Sequence, residues 1–206
     1  MVLYNGNLWW KRTGCPRRKI NLIGKQPGQI GICVGMFLCM IVLVAVLFQI
    51  KLLQYHAVSV FVEDSLAASN LASAVIDVEE YGMTHNILVE SPESAFYRYR
   101  EALVHNLKLD ENLYSTREEV LCGKVDILSY QVFNVIGDTV WRYRFDEGGR
   151  LLDTVSLDLG TTYLPDGNKL ETTSVYSKVG FYVMGLGGET IYGTREKSVD
   201  IKREEE

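Results

Sequence analysis

Three histidines, two acidic pairs and four cysteines are the residues whose types could carry chemistry in this 206-residue chain. A metalloprotease of the HExxH type places two histidines one helical turn apart with a glutamate between them. His56, His85 and His105 are 29 and 20 residues apart and form no HExxH. A general acid and base must converge on one substrate atom. Glu63-Asp64 and Glu79-Glu80 are sequence neighbours, and on a helix neighbours diverge by about 100°, so the pairs read as solvated charge. "GLGGET" (185–190) is glycine-rich. It lacks a following amphipathic helix that would aim backbone N–H groups at a phosphate, so it reads as a turn. No GxSxG and no Walker motif occurs. Cys15, Cys33, Cys39 and Cys122 show neither CxxC nor zinc spacing. The residue pattern predicts no catalytic site, no metal and no cofactor.

What the sequence does specify is placement. Residues 1–28 hold Lys11, Arg12, Arg17, Arg18, Lys19 and Lys25 and no acid, while all 26 acidic residues lie beyond them. Between Lys25 and Lys51 there is no charge, and Ile30 to Ile50 is a run of 21 residues interrupted only by Gly and one Gln. As a helix it reaches about 31 Å, the thickness of a bilayer core. A cleaved signal peptide has a shorter apolar region and a small-x-small site, which "QIKLLQYHAV" does not offer. A single-pass membrane protein is therefore expected. Its parts are a basic cytoplasmic leader (1–28), a transmembrane helix (29–50) and an extracytoplasmic remainder, oriented by the positive-inside rule. Only Cys122 lies in the exported part, so no disulfide can form there; it reads as a buried, inert thiol. An acidic domain behind a basic head is a poor partner for nucleic acid.

The helix is expected to run on. Leu53, Ala57, Val60, Asp64, Ala67, Leu71, Ala74, Val78 and Tyr81 follow a 4-3-4-3 spacing, a heptad seam broken once by Asp64. No Pro or Gly occurs between Gly35 and Gly82, so the extension is expected over 51–82, with Gly82 as its stop. Two readings of the seam stand: it meets another chain, or it packs on the protein's own domain. Small residues such as Ala67 and Ala74 would let a partner backbone approach closely. Asp64 either pairs with a basic group or sits at a solvated rim.

Residues 83–206 read as an exported α+β domain. "SPESAFYRYREALVHNLKL" carries Ser91 as N-cap and Pro92 in the first turn, with Phe96, Tyr99, Leu103 and Leu107 near one face. From about residue 120 the period becomes two. Turns at Gly137-Asp138, 147–150, "LPDGNK" and Gly187-Gly188 divide the rest into about five mostly antiparallel strands. In the second strand Thr139, Trp141, Tyr143 and Phe145 are expected to face the core.

The basic leader, the span "GKQPGQIGICVGMFLCMIVLVAVLF", the projecting helix "VEDSLAASNLASAVIDVEEYG" and the C-terminal sheet together resemble bacterial type IV pilin-like proteins. The layout is most similar to minor pilin-like proteins of tight-adherence (Tad) pili. The resemblance covers the first 82 residues by layout more than by motif. It implies a leader cleavage after Gly28, before Gln29, with Gly24 as second choice. Pilins usually carry Glu at the fifth mature position; a cut after Gly28 puts Cys33 there. That departure removes a carboxylate that would pair with a neighbour's N-terminus inside the membrane bundle, and it fits an uncleaved assembly or priming subunit better than a major pilin.

The leading expectation is thus a non-enzymatic membrane subunit of a pilus or secretion apparatus, with the lipid bilayer and other assembly subunits as partners. Helix packing would run through Asp64, Ala67, Leu71, Ala74 and Val78. Helices followed by a curved antiparallel sheet also occur in nuclear-transport-factor-like scaffold domains of type IV secretion, where residues after Lys51 would form a short linker. A ligand-binding module with a pocket at Trp141 and Tyr143 is the third alternative.

Overall fold

The computed structural model describes residues 27–117, 120–185 and 187–202. The chain forms two compact units, Met1–Val44 and Ala45–Glu206. Among the described residues, the first holds only the start of helix α1 (Pro27–Ser73). The apolar side chains there are exposed. With mean hydropathy 2.9 over an 18-residue window and none of that window buried, α1 is long and apolar enough to cross a membrane. A single helix of this kind near the N-terminus is compatible with a single-pass anchor. Most of the expected leader, residues 1–26, and the tail at 203–206 lie outside the described residues. Gly28 and Gln29 fall in the first turn of α1.

The second unit is α+β, as expected. Its strands are β1 (Cys122–Ile136), β2 (Thr139–Phe145), β3 (Leu151–Asp158), β4 (Ser174–Met184) and β5 (Thr190–Asp200). They form one antiparallel sheet in the order β3-β2-β1-β4-β5. The tight turn at Gly137-Asp138 joins β1 to β2, because Gly accepts the positive φ of 58° that the turn needs. β1 is 15 residues long and carries two register shifts against β4. Such bulges add local twist and bend the strand.

Helix α1 does not pause at Lys51. It stays helical through 51–62 and ends at Ser73, nine residues before the expected stop at Gly82. The reason lies in Ala74–Asp77. Val75 and Ile76 are β-branched and adopt an extended path, and Ile76 bridges Val89. Asp77 then caps a separate helix, α2 (Val78–Thr84), accepting 2.9 Å from the Glu80 N–H. Gly82 is inside α2, which ends instead at His85 in the left-handed region. Asp77 followed three residues later by Glu80 is a helix-start signature that the seam reading ran across.

Helix α3 (Pro92–Leu107) begins at Ser91, whose hydroxyl accepts from the Ser94 N–H at 3.3 Å. Phe96, Tyr99, Leu103 and Leu107 are all buried, as the spacing predicts. They join Val62 and Leu66 of α1 and Tyr130, Val132, Phe145, Val175 and Val179 of the sheet in the main core. Phe96 sits at its centre, its ring 5.5 Å from Tyr130 and 5.9 Å from Phe145. Gly149 passes so close that a Cβ there would stand 2.5 Å from the Phe96 ring, at a φ of +85°. Only glycine fits that turn.

The other face of the sheet has a core of its own. Phe133, Val140 and Tyr176 are covered by Leu164 and Leu170 from the segment between β3 and β4. This corrects the expected facing of β2. Phe145 and Tyr143 do meet the main core, but Trp141 is partly exposed and Val140 is fully buried on the opposite side.

Candidate functional site

Beyond residue 57, α1 presents two faces with different fates. The inner face is Val58, Val62, Ser65, Leu66, Ser69, Asn70 and Ser73, all buried or partly so. Three of its polar members bond to groups outside the helix. Asn70 Nδ2 donates to the Lys197 carbonyl at 2.8 Å, Asn106 Nδ2 donates to Ser69 Oγ at 3.1 Å, and the Tyr130 hydroxyl donates to Ser73 Oγ at 2.9 Å. Toward the N-terminal end of α1, β5 adds polar contacts: Lys197 Nζ lies 2.8 Å from Glu63, and Arg195 donates to Ser59. Glu63 holds the Lys197 ammonium above its usual range, by the hydrogen bond first and by charge second.

The outer face carries the heptad seam. Leu53 is 68% exposed, Leu71 65% and Val60 42%. Of the five residues singled out for helix packing, Asp64 and Leu71 lie on this outer face. Ala67 is half-buried at its edge, and Ala74 packs partly against the main core just past the helix end. Val78 is exposed, but on α2 rather than on a continuation of α1. The five therefore do not form one helical stripe; Asp64, Ala67 and Leu71 do. Asp64 is exposed and close enough to add to the field on Lys197. An apolar stripe of this length in water is unfavourable unless something covers it.

The sequence reading missed the inner face. Ser65, Ser69, Asn70 and Ser73 look like a solvent face, yet they are buried; α3 supplies a partner to Ser69, and the sheet supplies partners to Asn70 and Ser73. Their spacing of four, one and three is the helical signal that was available.

The residues of catalytic type stay apart. His85 caps α2 and His105 is in the last turn of α3. No group of His, Cys, Asp and Glu suited to a metal occurs among the described residues. Cys122 is half-buried at the start of β1. Glu79 and Glu80 sit in the first turn of α2, where acid favours the helix dipole.

β5, the strand that clamps α1, is braced by charge. Glu196 accepts from the Tyr176 hydroxyl at 2.7 Å and pairs with Lys178 at 2.9 Å. The Lys178 hydrogen bond, then that of Tyr176, holds the Glu196 carboxyl below its usual 4.5. Its charged form is favoured in the fold, so its stabilisation is present above pH 4.5 and is lost as pH falls through the lowered value. Glu196→Gln should therefore make stability less sensitive to acid. The difference between about pH 6 and about pH 3.5 should shrink by less than about 1 kcal/mol, the scale of a partly exposed pair. Urea unfolding at the two pH values measures it, and parallel losses in parent and variant would count against the role given to Glu196.

No protein-family model matches this chain, and no curated protein and no solved structure matches it.

Proposed function

We propose that this chain is a non-enzymatic, single-pass membrane subunit of a pilus-like or secretion assembly, and that the outer face of α1 docks against another helix. One observation carries the reading: an unbroken helix from Pro27 to Ser73 whose seam stays exposed after its other face has packed on the sheet. The unbroken stretch 51–62 supports the pilin-like layout over the scaffold domain, which would have a linker there. Trp141 is partly exposed and Tyr143 packs on the main core, so neither gives support to a ligand module.

The test is mild solubilisation from native membranes, followed by native sizing and intact mass. A complex well above the 23.3 kDa of the chain is expected. A monomer would overturn the proposal. The intact mass of the same sample sorts two forms of it. A start at Gln29 means a processed, filament-type subunit; a full-length chain means a permanently anchored assembly subunit, the form favoured by Cys33 at the fifth position.

A further inference from the structure

We infer that the β4–β5 hairpin is a second membrane contact, its strand ends around Met184 and Ile191 reaching the lipid headgroup region beside the helix. The inference rests on reading residues 30–50 as a membrane span.

The strand and the helix give a ruler. Lys197 meets Glu63 and Arg195 meets Ser59. Two strand residues, about 6.6 Å, thus match four helix residues, about 6 Å, so β5 and α1 run nearly side by side here. Ile191 lies four strand residues beyond Arg195, which places it about eight helix residues before Ser59, at the level of Lys51. An independent contact agrees. Val183, the cross-strand neighbour of Ile191, and Met184 line a groove of about 530 Å³ together with Lys51, Gln54 and Tyr55. Lys51 is the first residue after the apolar run Ile30–Ile50.

The hairpin end has the chemistry of that depth. Met184 is 48% exposed, Ile191 45% and Tyr192 46%, although all lie in paired strands. Glu189 is the one charged residue between Met184 and Tyr192. Gly187 and Gly188 in the turn have positive φ and carry no side chain. Lys51, Tyr55 and Tyr192 are the residue types that favour the boundary between hydrocarbon and water. Apolar side chains exposed at the level where a span ends are covered by lipid at little cost. A second foot would also stop the domain from swivelling about the helix, fixing which way the outer face of α1 points.

The full-length protein in phosphatidylcholine–phosphatidylglycerol nanodiscs tests this with the photoreactive residue benzoylphenylalanine. Phe48, in the span, is the lipid-facing reference. Tyr163, an exposed residue of the segment whose Asp166 meets Ser198 near the far end of β5, is the solvent reference. Lipid adducts at Ile191 should come within about threefold of Phe48 and exceed Tyr163 by about tenfold. Met184, on the opposite face of the hairpin, carries the same expectation. Labelling at either position sustains the contact and assigns its face. Silence at both, with Phe48 labelled, overturns the inference and leaves the span intact. Silence at Phe48 as well overturns the span reading and the inference with it.

Discussion

Leu71→Lys is expected to leave the domain folded and to break the proposed assembly. Leu71 is 65% exposed on the outer face of α1, so lysine there meets water in the isolated chain, and the stability change stays within about 0.5 kcal/mol. In a helix–helix contact the same change removes a buried leucine and leaves an ammonium without a partner. Losing such a central contact costs about 2 kcal/mol or more, about a thirtyfold drop in affinity. Insertion of the candidate span should be unaffected, since residue 71 is 21 positions past Ile50. Native sizing of the variant from its own membranes, with unfolding measured beside it, reads both effects. An intact complex would mean that Leu71 is not in the contact, and a large loss of stability would mean that it is not on a free face.

Phe96→Ala shows the opposite pattern. The ring has no exposure and touches the rings of Tyr99, Tyr130 and Phe145, joining α3 to β1 and β2. Its removal deletes about 3–5 kcal/mol of transfer and cavity energy, against a total stability of about 5–15 kcal/mol. For a domain of this size the melting point should fall by about 6–20 °C. Gly149 lies against the ring and carries no side chain to fill the gap, which puts the expected cost toward the upper end. Thermal melting of the full-length protein in detergent, followed by near-ultraviolet circular dichroism, measures it. A shift of only one or two degrees would mean that the aromatic cluster does not hold the helix to the sheet. Together the two variants separate what folds the domain from what docks it.

How much of this was legible in the sequence depended on whether the signal was local. The strands were, because alternation and the turns at Gly137-Asp138 and 147–150 act within a few residues. So was α3, whose cap Ser91 and apolar spacing agree. The end of α1 was not, because Ala and Leu from 66 to 74 favour helix while the competing signal at Asp77 is a single cap. It prevails because Ile76 finds a partner in Val89, a contact no local pattern announces. The inner face of α1 was missed for the same kind of reason. Ser65, Ser69, Asn70 and Ser73 are polar, and the burial of the last three is helped by the distant Asn106, Lys197 and Tyr130, which no local pattern announces. The second core, under Leu164 and Leu170, depends on a segment folding back across the sheet, which periodicity in β2 cannot foretell. Of the candidate packing residues, Asp64, Ala67 and Leu71 share the helix as expected, and Ala74 and Val78 were lost with its early end.

The claim at the centre of this account is that another helix covers the outer face of α1. Site-specific photocrosslinking in native membranes tests it most directly, with benzoylphenylalanine placed in turn at Leu53, Val60, Asp64 and Leu71 on the outer face and at Tyr114 and Tyr163 on exposed positions elsewhere. The account predicts a defined protein adduct of one size from the outer-face positions, recurring at helical spacing, and none from the two tyrosines. Adducts spread evenly over all positions, or none along the helix, would contradict it.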